Sequence, residues 1–362
     1  MPALITGGVG FIGTNLAVRL LSAGKPVLIL DNLSRDSVEK NLQYLRDTFG
    51  DLVQVEIGDV RDRKTVAKAV ASCDSVYHFA AQVAVTTSLV CPVDDLEVNL
   101  GGTINVLEAV RKRQPPPPLL FTSTNKVYGD LRDVELMPIE NRYVPQDADA
   151  RTYGISERQP LDFHSPYGCS KGAADQYVVD YARMYGLPNV VFRMSCIYGE
   201  HQFGTEDQGW VAHFARKMLW DGRLSIYGDG MQVRDILYVG DLIDAMQLAM
   251  ERIVVLAGRA FNIGGGPDHT TSLLDAIHYL SQLSGKEPQI RHAPPRRGDQ
   301  PYYVSDTRRF SEATGWKPRT SVEQGISRLY HWIAEHAASS RPARPRRAVR
   351  MRGVLPQKER VE

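Results

Sequence analysis

Near the N-terminus the run Gly7-Gly8-Val9-Gly10-Phe11-Ile12-Gly13 follows a short apolar stretch, Ala3 to Thr6, and leads into an amphipathic one. Small residues in such a place let the backbone turn tightly and approach a pyrophosphate, which then rests on the N-terminus of the following helix. Gly7, Gly10 and Gly13 make the turn, and Phe11 and Ile12 open the helix. Asp31 closes the next apolar run, 18 residues beyond Gly13. A carboxylate there accepts hydrogen bonds from the adenine-side ribose and repels a 2′-phosphate. The pattern therefore predicts NAD rather than NADP, a preference that Arg35 tempers slightly. Asn32 and Ser34 share the Asp31 loop, and Asp59-Val60, after the third apolar run, is expected beside the adenine.

The spacing Gly-x-x-Gly-x-x-Gly resembles that of the short-chain dehydrogenase/reductase superfamily. The resemblance implies a Tyr-x-x-x-Lys pair with an upstream Ser or Thr. Here Tyr167-Gly168-Cys169-Ser170-Lys171 follows Phe121-Thr122-Ser123-Thr124. The residue types suit proton transfer. A tyrosine hydroxyl is a weak base near neutral pH, so a neighbouring cation must favour its phenolate. Lys171 lies one helical turn from Tyr167, on the same face, and can also hold the nicotinamide ribose. Thr124 would hydrogen-bond the reacting sugar hydroxyl.

The extended, nucleotide-sugar branch of that superfamily, the NAD-dependent epimerase/dehydratase family, resembles the chain from residue 3 to about 336. Its landmarks are His78-Phe79-Ala80-Ala81-Gln82, Asn99 with Gly102-Thr103, Val127-Tyr128-Gly129, Val233-Arg234-Asp235 and Arg296-Arg297-Gly298-Asp299. The resemblance places Ala80, Gln82 and Asn99 at the cofactor, with Gln82, Thr124 and Asn125 at the sugar. It gives Arg234 and Arg296 the substrate diphosphate, which a planar guanidinium grips with two parallel hydrogen bonds. The segments 82–88, 123–130, 161–177 and 207–211 are similar to those of family members that invert carbon 2 of a CDP-linked 3,6-dideoxyhexose. The chain has its own sequence at Met194-Ser195-Cys196-Ile197-Tyr198. A hydrogen on carbon 2 with no adjacent carbonyl is not acidic, so inversion there calls for transient oxidation to a 2-keto sugar and re-reduction on the other face. The alternatives are a 4-epimerase or dehydratase of a UDP- or GDP-sugar, and a nicotinamide-sensing regulator. The intact Thr124, Tyr167 and Lys171 argue against the regulator.

These residues need a scaffold. Short unbroken apolar runs at 3–6, 27–31, 53–57, 75–79 and 119–123 alternate with helical patterns, notably 10–22 and 99–113. Such alternation predicts an α/β, Rossmann-type doubly wound parallel sheet covered on both faces. Farther on, helices are expected over 210–219, 272–284 and 321–336, with a strand over 224–227. The expected organisation is an NAD-binding domain at 1–193, a smaller mixed α/β nucleotide-sugar domain at 194–337 with some strands interleaved with the first, and a disordered basic tail at 338–362. The family resemblance implies a homodimer or homotetramer built on helices near 99–113 and 167–185.

Composition narrows the classes further. Of 362 residues, 43 are Lys or Arg and 42 Asp or Glu, which excludes a chain that is basic throughout, as many nucleic-acid binders are. The four cysteines, at 73, 91, 169 and 196, form no Cys-x-x-Cys pair, and no His, Cys or carboxylate group has metal-ligand spacing. No apolar run approaches the roughly 18 to 20 residues of a membrane helix, and with Ala3-Leu4-Ile5 leading straight into a Gly-rich turn no signal peptide is expected. A cytoplasmic enzyme without nucleic-acid or membrane partners is expected. His78 reads as a hydrogen-bonded structural residue, His164 as a loop-orienting one, Cys169 as inert, and Cys196 equally as packing or as a wall of the nicotinamide pocket.

Overall fold

The computed structural model describes residues 1–296 and 298–336. The expected tail at 338–362 lies outside the described residues, as does Arg297. Seven parallel strands form the central sheet, in the order Val53–Ile57, Val27–Asp31, Ala3–Thr6, Ser75–His78, Leu119–Thr124, Asn189–Met194 and Arg259–Ile263. The chain builds outward from the first strand in one direction and then in the other. The winding reverses between Ala3–Thr6 and Ser75–His78, and a crevice opens there at the carboxyl ends of the strands.

Alternate side chains along each strand bury against opposite layers. Leu4, Leu28, Leu30, Val76 and Phe121 pack with Val66, Val106 and Val178 of the helices Arg63–Ala71, Gly102–Arg111 and Ser165–Tyr185. Ile5, Val27, Ile29, Tyr77 and Leu120 pack with Leu16, Leu45 and Leu242 of Phe11–Ser22, Val38–Phe49 and Val239–Glu251. With both faces covered, the inner strands are largely apolar, while the edge strand Val53–Ile57 alternates with Gln54 and Glu56.

The expected helix over 99–113 is regular only from Gly102 to Arg111, preceded by a π turn over Glu97–Gly101. The wider turn lies where Asn99 leaves the helical repeat to serve the neighbouring loop, and π turns gather at such places.

A second core joins Val211, Phe214, Met218, Leu224, Ile226, Ile277, Leu280, Ile326 and Leu329. Its strands are a parallel pair, Arg223–Tyr227 with Gln289–Ala293, and a small sheet around Val233–Tyr238. That central strand pairs antiparallel with Thr270–Ser272 and parallel with Tyr302–Tyr303 and Cys196–Tyr198. Between these elements the chain returns to the first sheet through Val239–Glu251 and Arg259–Ile263, so the two parts interleave. Among the described residues no helix is long and apolar enough to cross a membrane.

Candidate active site

The glycine turn lies in the crevice. Gly7 has φ +69°, and a Cβ there would stand 2.8 Å from Ala80 N. At Gly13 a Cβ would stand 2.5 Å from Gly7 O. Only glycine permits this closure, which leaves the N-terminus of Phe11–Ser22 open, with no side-chain cap from Gly10. The Asp31 carboxylate accepts from Val9 N at 3.2 Å and Leu33 N at 2.9 Å. Burial pushes its pKa up, and those two N–H groups draw it back. Asn32 donates to Asp59 Oδ2 at 2.9 Å and accepts from Ser34 N at 3.1 Å. Arg61 brackets Asp59 and brings its carboxyl down to about 2. Val60 O accepts from Asn105 at 3.0 Å, and Arg35 is exposed beyond the Asp31 turn. A cradle that any Cβ would fill, with a carboxylate ending the next strand, fits the pyrophosphate and ribose of a dinucleotide.

The crevice floor is a closed polar network. Thr103 gives its hydroxyl proton to Asn99 O at 2.6 Å, so His78 Nε2, 3.1 Å away, donates to Thr103. His78 Nδ1 then accepts from Thr6 Oγ1 at 2.7 Å, and Thr6 Oγ1 in turn accepts from Phe79 N and Ala80 N. His78 is thus a neutral, fully committed histidine, which burial brings down to about 3. Asn99 holds the Gln82 backbone, accepting from Gln82 N at 2.9 Å and donating to Gln82 O at 3.1 Å. The Gln82 side chain donates to Asp95 Oδ1 at 2.6 Å. Fully buried Asp95 also accepts from Asn99 and Ser170, joining the Gln82 loop to the helix that begins at Ser165.

That helix, Ser165–Tyr185, carries both Tyr167 and Lys171. Pro166 at its first turn fits the absent N–H there. Tyr167 is buried and faces Thr124, the last residue of its strand. Burial pushes the phenol up to about 12, against the hydrogen bond with Thr124. Burial brings Lys171 down to about 7, against the pull of Asp175 and Asp95. Its ammonium donates to Thr122 O at 2.6 Å and sits 4.2 Å from the Phe121 ring centroid.

On the substrate side, Asn125 donates to Gln300 at 2.9 Å and accepts from Thr124 at 3.3 Å. Arg234 is buried and pairs with Asp299 at 2.6 Å. Arg296 lies 3.8 Å from the Tyr227 ring centroid, donates to Glu206 O at 2.9 Å and pairs with Asp207 at 3.3 Å. His164 bridges two carboxylates at 3.0 Å each, Asp130 from Nδ1 and Asp162 from Nε2, tying down the loop before Tyr167. Cys169 is exposed, while Cys196 is half-buried near Arg234 and Lys126.

Sequence reasoning overlooked Asp95, Lys126 and Asp175. Asp175 is fully buried and meets Arg193 in a two-pronged pair, 2.9 Å on each side. Arg193 continues to Tyr128 OH at 3.2 Å, which donates to Asn262 at 2.7 Å. A signal for Asp175 existed, since it stands one helical turn beyond Lys171. Asp95 carries none, because its partners are distant in sequence.

A dinucleotide cradle at the switch point of a doubly wound sheet, with a Thr–Tyr–Lys set at the strand ends, defines an oxidoreductive enzyme of the short-chain dehydrogenase/reductase type. The model of the NAD dependent epimerase/dehydratase family matches residues 3–264, and the chain belongs to that family, whose cofactor is NAD. It is 42% identical over 341 residues to CDP-paratose 2-epimerase of Salmonella typhi, covering 92% of this chain and 99% of that one. It is 31% identical to a putative UDP-glucose 4-epimerase of Methanocaldococcus jannaschii, covering 91% and 97% of the two chains. Among solved structures it resembles the UDP-glucose 4-epimerase of Thermotoga maritima with UDP-glucose, at TM-score 0.78 and 29% identity over 93% of this chain and 100% of that one. The Thermus thermophilus UDP-glucose 4-epimerase in complex with NAD aligns at TM-score 0.75 and 31% identity, over 92% and 99% of the two chains.

Proposed function

We propose that the chain interconverts CDP-paratose and CDP-tyvelose, inverting carbon 2 of a CDP-3,6-dideoxyhexose. The observation that carries this reading is the 42% identity to a CDP-paratose 2-epimerase along nearly the whole of both chains. The juxtaposition of Thr124, Tyr167 and Lys171 supports it.

Held by the Gly7–Gly13 turn and Asp31, NAD would supply hydride-transfer chemistry at carbon 2. Tyr167, as phenolate, takes the proton from the carbon-2 hydroxyl, which Thr124 orients. Lys171 supplies the positive charge that makes a phenolate affordable in a buried site. The planar 2-keto sugar turns over in the pocket while the CDP end stays anchored, so that its opposite face meets the returning hydride while Tyr167 gives the proton back to the carbon-2 oxygen. Arg234 and Arg296 hold the diphosphate, exchanging Asp299 and Asp207 for phosphate oxygens. In this reading residues 1–193 serve the cofactor and 194–337 the nucleotide sugar.

We infer a homodimer or homotetramer as the working form. Exposed Leu89 and Val90 on the helix Val85–Val90, Val93 and Leu96 on the next helix, Pro92–Leu96, and Tyr177, Met184 and Tyr185 on Ser165–Tyr185 offer the apolar face it needs.

The test is Tyr167→Phe assayed with CDP-paratose. Turnover should vanish while NAD stays bound, and retained epimerisation would remove Tyr167 as the base.

A further inference from the structure

Lys126 lies two residues beyond Thr124, in the short turn Asn125–Tyr128 that ends the catalytic strand. Its ammonium donates to Gly298 O at 2.9 Å, reaching from the sheet into the segment that carries Arg296 and Asp299. Among the described residues this is its only hydrogen-bonding partner. The titratable groups around it are Arg234, Asp299, Asp130 and the Cys196 thiol, which burial pushes up. Both carboxylates are already spent. Asp299 pairs with Arg234 at 2.6 Å, and Asp130 with His164 at 3.0 Å and Arg132 at 3.3 Å. No carboxylate among the described residues comes within ion-pair distance of Lys126. A half-buried cation with unused donors, beside an arginine of the same sign, is costly unless an anion completes the site.

We propose that Lys126 binds an anionic oxygen of the substrate's diphosphate, on the sugar side of Arg234. This rests on the nucleotide-sugar reading above and adds to it a third cation. Lysine suits the task as a compact charge with several donors, free to follow phosphate oxygens as the sugar turns. One N–H remains on Gly298 O, so the same residue links ligand binding to the segment before Asp299.

The test measures binding of CDP, and of cytidine, which lacks both phosphates, to NAD-loaded wild type, Lys126→Met and Lys126→Arg. A lost charge-assisted contact should weaken CDP by about tenfold or more in Lys126→Met. Lys126→Arg should stay within about threefold of wild type, and cytidine should bind all three alike. Equal CDP affinity in wild type and Lys126→Met would overturn the proposal. So would a parallel loss of cytidine or of bound NAD, which would mark a structural role. Wild type that binds none of CDP, UDP and dTDP would instead bring down the nucleotide-sugar reading itself.

Discussion

Lys171 stands one turn beyond Tyr167 on a single helix, and its ammonium donates to Thr122 O at 2.6 Å on the strand that ends in Thr124. The lysine therefore fixes its helix against that strand, and with it the spacing of Tyr167 and Thr124. Lys171→Met removes both the tie and the charge. Its kcat should fall by about 100-fold or more, within the range of a lost acid–base partner. Steady-state kinetics with measurement of bound NAD checks this. A change of KM alone would contradict it.

Asp175 and Arg193 form a buried two-pronged pair one turn beyond Lys171. Removing one partner strands the other's charge, which in buried pairs costs about 3–5 kcal/mol. Asp175→Asn should lower unfolding stability by that order in urea denaturation. A loss below about 1 kcal/mol would show the pair to be dispensable.

Gly13 packs so closely on the turn that a Cβ would meet Gly7 O at 2.5 Å and Gly8 Cα at 2.6 Å. Both atoms are backbone, so no side chain can yield. Gly13→Ala should destabilise the fold by about 1–3 kcal/mol and strip NAD on purification. Full NAD occupancy in this variant would contradict the cradle.

His78 titrates near 3 in the fold against an ordinary 6.5. Below 6.5 the unfolded chain takes up a proton that the folded chain refuses, so stability falls with pH across that window. Between pH 7 and pH 5 wild type should lose about 2 kcal/mol more than His78→Gln, at about 1.4 kcal/mol per pH unit below 6.5. Urea midpoints at the two pH values measure the difference, and parallel losses would contradict it.

Much of the fold was legible in the sequence for a physical reason. A sheet buried on both faces needs largely apolar strands, and Ala3–Thr6 and Val27–Asp31 begin and end where the apolar runs do, while the edge strand Val53–Ile57 interleaves Gln54 and Glu56. The hairpin Leu136–Ile139 with Arg142–Pro145 gave no such signal, because all its side chains but Pro145 are half-buried or exposed. At the site, Gly7, Gly13, Asp31, Tyr167 and Lys171 stood out because each lies in a short local pattern. Asp95, Lys126 and Asp175 did not, since their roles arise from partners that folding brings from elsewhere. Arg234 and Arg296 were legible as cations, but their pairing with Asp299 and Asp207 was not.

Inversion by internal hydride transfer is read out by incubating pure protein with CDP-paratose in deuterated water. Carbon 2 should epimerise with no deuterium at that carbon, because the hydride leaves and returns without meeting solvent. Deuterium on carbon 2 of the product would contradict the account.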